Sequence, residues 1–372
     1  MAVGDDRDTF KLVSIEKLFS NLLQLKKKPQ LFIHAHNPNL TNAGYKCYRD
    51  FRDENVYEGL QDVVGDAFVT TLFEILYSDE VKIANPLGAK RAVHKLTTMY
   101  LTFFNMHPRY KSRLGFVDLV VLAKFKDVEE LGCQGPSVTV DGVPETVKVI
   151  VVAVCGDNLS QHKLGGFSAS FSQGHICRYF TATTANLHAV TSEEQCQIMT
   201  RADDSSHLAA AKENPQDGRK LHGVVGPSPM AQLAHFDVTT QVAPDMMQDL
   251  FEGASAHIIG HVTKGLIDEG ALTLEDLKRE ENTHWSVLLQ LPNIVTLVLS
   301  EKITEDWVAY LEVLVKDFVE AFTAMYPTAE VLPKMHYMVH YARLTAALVF
   351  LRQYWCLRFE RNTSNLSPWL QK

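Results

Sequence analysis

Apolar residues in the first half of the chain gather in short runs, whereas in the last third they recur every three or four positions. Phe10, Leu12, Ile15, Leu18, Phe19, Leu22 and Leu23 follow helical spacing, and predict an amphipathic helix within 10–30 that ends before Pro29. Residues 31–59 mix Asn, Pro, Tyr and charge without a period and predict loop with short elements. The stretch 68–77 is β-branched and aromatic and leads into Ser78-Asp79-Glu80, with a turn signal at Asn85-Pro86-Leu87-Gly88. Residues 92–105 and 116–125 also suit strands, and 132–146 reads as a turn-rich link. The run 147–155 (VKVIVVAVC) has the composition of a strand buried on both faces, and it exits into Gly156-Asp157-Asn158.

Residues 190–243 are polar and rich in turn formers, and predict a linker with little to bury. Beyond it, 244–265, 272–278, 285–299, 304–326 and 336–352 carry helical periodicity, with Pro292 expected to kink or restart the third of these. The expected organisation is an N-terminal helical or irregular segment (1–65), a sheet core (66–189), the polar linker (190–243), and a helical region (244–372) in which 355–361 completes the core.

Composition narrows the class. A chain of 372 residues that is 46% apolar and 22% charged can build a large core, and disorder is excluded as its dominant state. No apolar run approaches the ~18 residues of a membrane span, and Met1 to Asp8 does not resemble a signal peptide. The expectation is an intracellular protein without membrane contact. Six scattered cysteines with no CxxC pair predict reduced thiols. The net charge of −8 confines any DNA contact to local basic patches, either Lys26-Lys27-Lys28 or Lys90-Arg91 with His94 and Lys95.

Three sets of residues could carry chemistry. Asp79 (or Glu80) and Asp157 each follow an apolar segment, where carboxylates can supply the oxygen ligands that hard divalent cations require; a turn or helix cap explains such a residue equally well. The pairs His257/His261 and His336/His340 have one-face helical spacing. Neither has the Glu that zinc hydrolases place after the first His, and with no third ligand in view both read as histidines at a polar seam. Cys177, in His175-Ile176-Cys177-Arg178-Tyr179-Phe180, reads as a small buried hydrophobe before it reads as a metal ligand. Asp245 suits the first turn of a helix.

Taken together, the segments 77–96 (YSDEVKIANPLGAKRAVHKL), 154–180 (VCGDNLSQHKLGGFSASFSQGHICRYF), 244–254 (PDMMQDLFEGA), 333–344 (PKMHYMVHYARL) and 355–361 (WCLRFER) resemble transposases of the CACTA (EnSpm) type, in that order along the chain. The resemblance covers most of the chain from about residue 60. It implies an α/β fold with a ribonuclease-H-like mixed sheet and a large, mainly helical insertion or C-terminal half. It also implies a metal-binding and catalytic triad of Asp79, Asp157 and Glu360 using Mg2+ or Mn2+, with Cys177 and Asp245 as weaker metal candidates. DNA would bind through Lys90, Arg91 and Lys95, and the nucleus would be the compartment.

The chain departs from that pattern at four places. Phe180 stands where relatives complete a CxxC zinc half-site, and Gln248 replaces the His of DxMHD. The helical insertion is shorter around 278–281, and the segment after Glu360 lacks the basic helix of relatives. These departures predict a catalytically inactive relic or a domesticated nucleic-acid- or protein-binding module; the alternative is an active metal-dependent transposase cutting and joining transposon-end DNA.

Overall fold

The computed structural model describes residues 11–12, 47–48, 60, 71–82, 95–104, 106, 117–123, 137–140, 143–146, 149–171, 174–270, 283–348 and 351–360. Its strands are β1 (Lys11–Leu12), β2 (Cys47–Tyr48), β3 (Leu72–Lys82), β4 (Lys95–Phe103), β5 (Asp118–Ala123), β6 (Ser137–Val140), β7 (Val143–Thr146), β8 (Val149–Gly156) and β9 (Ile303–Thr304). Its longer helices are α1 (Asn158–Gly165), α2 (Arg201–Glu213), α3 (Ser255–Asp268), α4 (Thr283–Val298), α5 (Glu305–Met325) and α6 (Tyr341–Leu348).

The fold is mixed α/β and mostly helical, built on a sheet in the order β1-β5-β4-β3-β8. The neighbours β3, β4 and β5 are antiparallel, while β3 and β8 run parallel. Alternation along β3 divides its side chains between the two faces. Phe73, Ile75 and Tyr77 enter one core with the helical half of the chain, and Leu72 enters a second core on the other face. The parallel pairing slips between Glu74 and Ile75: Glu74 pairs with Val151 and Ile75 with Ala153, so Val152 is an extra residue, a β-bulge. Thereafter the register holds to Ser78 opposite Gly156. A Cβ on Gly156 would lie 2.3 Å from the Ser78 carbonyl oxygen, so only glycine permits this approach. Beyond β8, Val242 makes an isolated parallel bridge with Val154, and the Ala243 amide donates to the Val154 carbonyl (2.9 Å).

The strands expected within 68–77, 92–105, 116–125 and 147–155 are present as β3, β4, β5 and β8. Four expectations need correction or restriction. Lys11 and Leu12, placed by periodicity in a helix, are extended and pair antiparallel with β5; the rest of that expected helix lies outside the described residues, as does 272–278. Within 132–146 the chain forms the hairpin β6–β7 rather than a bare link. The stretch 190–243 is folded: Thr200 and Asp203 form a capping box at the start of α2, and Met199, Ala211, Val224, Met230, Phe236, Val238 and Val242 build the second core. These apolar residues come one at a time, without the period that betrays a helix or strand. Helix α4 continues through Pro292, which lacks the N–H for one ladder bond, and buries Val287, Leu291, Ile294 and Val298.

The back half is helical as expected. A π-helical turn, Met247–Ala254, runs directly into α3. It packs with α4, α5 and α6 into the first core, where Leu250, Ile258, Ile294, Leu311, Phe318, Phe322 and Leu344 are sealed from solvent. No helix among the described residues is long and apolar enough to cross a membrane.

Candidate functional site

Two separate clusters emerge. The first is acidic and sits at the end of the sheet. Since Ser78 pairs with Gly156, the next residues, Asp79, still within β3 and paired with Thr98 of β4, and Asp157, just past the end of β8, lie side by side, with backbones about 4.8 Å apart. Asp157 is the N-cap of α1: its Oδ1 accepts from the Ser160 amide (2.6 Å). The cap occupies that oxygen alone, so capping and a ligand role are compatible. Asp79 follows Tyr77 on the same face of β3, and its Oδ1 accepts from the Glu80 amide (2.7 Å).

Glu360 arrives from the far end of the chain. Residues 357–360 form a helical turn. The neighbouring Phe359 stacks flat on Tyr77, centroids 4.4 Å apart, which anchors the turn over β3. Asp245 fixes its start, with Oδ1 accepting from the amides of Cys356 (3.1 Å) and Met247 (3.0 Å). Gln248 Nε2 donates to Glu360 Oε1 (3.4 Å), while Gln248 Oε1 accepts from Lys334 Nζ (3.4 Å). Lys334 therefore sets which end of the amide faces the carboxylate. The Asp79 pKa is pushed up to about 6, chiefly by burial and then by the negative charge of Asp157, with Glu360 adding to it. A buried carboxyl held up by the charge of neighbouring carboxylates is one a cation would relieve.

Behind this cluster lies a buried polar network. Asn158 Nδ2 donates to Asp249 Oδ1 (2.6 Å), and Arg178 Nη1 donates to Asn158 Oδ1 (3.1 Å). Arg178 is wholly buried between the rings of Tyr179 and Tyr337, 4.7 and 4.8 Å from their centroids. Burial pushes Asp249 up to about 6 against the pull of Arg178.

The second cluster is Cys177, His336 and His340. Their candidate ligand atoms lie within 4.8 Å of one another, and all three side chains are buried; the group could hold a metal ion. Cys177 Sγ is 3.3 Å from His340 Nε2. On its other side His340 Nδ1 meets Glu193 Oε1 (2.9 Å), an oxygen that also accepts from Arg343 Nε (2.7 Å). A carboxylate at Nδ1 leaves Nε2 as the lone-pair nitrogen facing Cys177, the arrangement that orients metal-binding histidines. His336 is buried with neither ring nitrogen hydrogen-bonded. Burial pushes the Cys177 thiol up to about 12. Phe180 packs against both histidines, its ring edge-on to His340 with centroids 4.4 Å apart and tilted to His336 at 6.2 Å.

The structure thus places Asp157 and Glu360 near enough to Asp79 for their charge to raise its pKa, while among the described residues only Cys177, His336 and His340 bring three candidate ligand atoms within 4.8 Å of one another; Asp245 is withheld, its carboxyl, pushed up to about 7 mainly by burial, capping the last turn instead. Cys177 likewise lies apart from the carboxylates, and His336/His340, read from sequence as lacking a third ligand, have one in Cys177. His257 and His261 remain seam histidines; they contact each other, and His257 Nε2 meets the Glu330 carbonyl (2.9 Å). Lys95 lies in β4, whereas Lys90 and Arg91 lie outside the described residues. Sequence reasoning missed Gln248, Asn158, Arg178 and Glu193 as partners of these clusters. Only the His336/His340 spacing gave a local signal; the Cys177–His340 contact spans 163 positions. No family model and no curated protein matches the chain.

Proposed function

We propose that the chain is a transposase-derived protein with a ribonuclease-H-like core that keeps a cation-binding acidic centre for phosphodiester chemistry on DNA. The placement of Asp157 beside Asp79 at the end of the β3–β8 pairing, with Glu360 near enough for its charge to act on Asp79, carries this reading. The meander β5-β4-β3, with β8 added parallel to β3 and Val242 added parallel to β8, supports it. In this reading the three carboxylates hold Mg2+ or Mn2+, an all-oxygen donor set that suits hard cations. Such an ion, when bound, stabilises charge on attacking and leaving oxygens. The protein's own part is positional: the Gly156 approach sets the spacing of the two aspartates, and the Lys334–Gln248 relay and the Asp245 cap hold Glu360 against them. Gln248, a departure from the family pattern, supplies a hydrogen bond to Glu360.

The test is Mn2+ binding by the purified full chain, together with nicking of DNA in Mg2+ or Mn2+. Wild type is expected to bind Mn2+, and Asp157→Asn, which keeps a capping oxygen, is expected to weaken binding at least tenfold with its melting temperature little changed. A wild-type chain that binds no Mn2+ contradicts the reading. One observation favours the inactive-relic alternative: an apolar ring, Phe180, rather than a fourth ligand packs against His336 and His340 of the Cys177–His336–His340 group. Cation binding without nicking would select that alternative.

A further inference from the structure

We propose that a cavity on the opposite side of the sheet from Asp79 is a binding site for a nucleotide unit. This cavity of about 750 Å³ opens between the C-terminal end of α1 and residues 225–232. Its walls include Phe167 of the second core, whereas Asp79 continues the β3 face that enters the first. It therefore does not share residues with the acidic centre, and its failure or success is separate from that reading.

The shape is set by backbone. Gly166 ends α1 with φ +77°, and a Cβ there would lie 2.1 Å from the Gly226 carbonyl oxygen, so the two glycines meet at the floor. The Gly166 carbonyl accepts from the amides of Val225 (2.8 Å) and Gly226 (3.3 Å), which locks the two walls together. The cavity is preformed and of the size that takes a drug- or nucleotide-sized ligand.

Its chemistry selects an anion with an apolar face. Lys163 and Arg219 line it, and among the described residues no carboxylate does, on a chain whose net charge is −8. Lys163 also bonds Glu80, which offsets part of its charge; Arg219 is exposed and offers a planar fork suited to a phosphate. Phe167, Val225 and Pro227 give an apolar wall of the kind on which a base can lie, and Gln232 adds an amide able to pair with a base edge. A phosphate and a base in one cavity are the two halves of a nucleotide, whether free or within a single strand.

The test is fluorescence anisotropy with a labelled oligothymidylate, competed with thymidine monophosphate. Binding is expected to fall with salt. Arg219→Glu is expected to weaken it about tenfold or more, as loss of a charge-assisted contact does. Gly226→Phe is expected to abolish it by filling the cavity, and since a Cβ at Gly226 meets nothing within 4 Å the fold should tolerate it, with an unchanged melt as control. Competition by the mononucleotide identifies a free-nucleotide site; binding of the oligonucleotide alone identifies a strand site. The proposal is overturned if neither probe binds, or if both variants bind as wild type does. It is also overturned if Asp157→Asn abolishes binding while Gly226→Phe does not, since the strand would then be held at the carboxylates.

Discussion

Glu74 is the least comfortable residue of the sheet. It lies in β3 on the face of the second core, 5% exposed, with Oε1 lacking any hydrogen-bond partner. Burial pushes its pKa from 4.5 up to about 8. The folded state therefore binds a proton that the unfolded chain releases, and stability contributed by the neutral form is lost as pH rises between those values. The slope from this group is at most ~1.4 kcal/mol per pH unit. Glu74→Gln is expected to raise the melting temperature at pH 9 and to leave it almost unchanged at pH 4. Melts of the two proteins that stay parallel across this range would contradict the assignment. Nothing in the sequence marks Glu74, since an acidic residue in an apolar run reads as an exposed strand position.

At the scale of elements, the short turn that carries Glu360 depends on a cap from a segment far away in the chain. Asp245 accepts from one buried amide, that of Cys356, and one part-buried amide, that of Met247, so Asp245→Ala leaves both without this acceptor, at a cost of about 1–3 kcal/mol for the buried one and less for the other. Asp245→Asn keeps an accepting oxygen and is expected to cost less than half as much in urea unfolding; equal losses would show that charge, not capping, is what matters. The sequence made the local elements legible: β8 declares itself by its β-branched run, and α5 by its spacing. It also exposed Asp79 and Asp157, because each follows an apolar run, although β3 continues past Asp79 to Lys82; Glu360 entered only through resemblance. The folded state of 190–243 was illegible for a physical reason. In α2 only Ala211 is buried, so its sequence is almost all solvent face, and only the Thr200–Asp203 box marked its start. Cys177 with His336 and His340 was illegible because contact at that separation is made by the fold alone.

At the scale of the molecule, β3 and β8 are shared by both cores, and the bulge at Val152 decides how their two faces line up. Were the pairing to run on without the slip, with Val152 opposite Ile75, Asp157 would fall opposite Glu80 and on the other face of the sheet. With it, Asp157 falls beside Asp79, on the side where Phe359 stacks on Tyr77. Deleting Val152 heals the bulge and keeps Ser78 opposite Gly156, so it is expected to leave Mn2+ binding near that of wild type, whereas one alanine inserted between Ala153 and Val154 moves Asp157 opposite Glu80 and is expected to remove Mn2+ binding even in protein that retains its circular dichroism. An insertion variant that binds Mn2+ like wild type would refute this. The bulge thus makes the strand's length, rather than its lettering, the inherited quantity: β8 can exchange valine for isoleucine at little cost and can lose one residue by losing the bulge, but a three-base insertion within its codons would reverse which side of the sheet the acid faces while leaving the amino-acid composition of the strand nearly as it was.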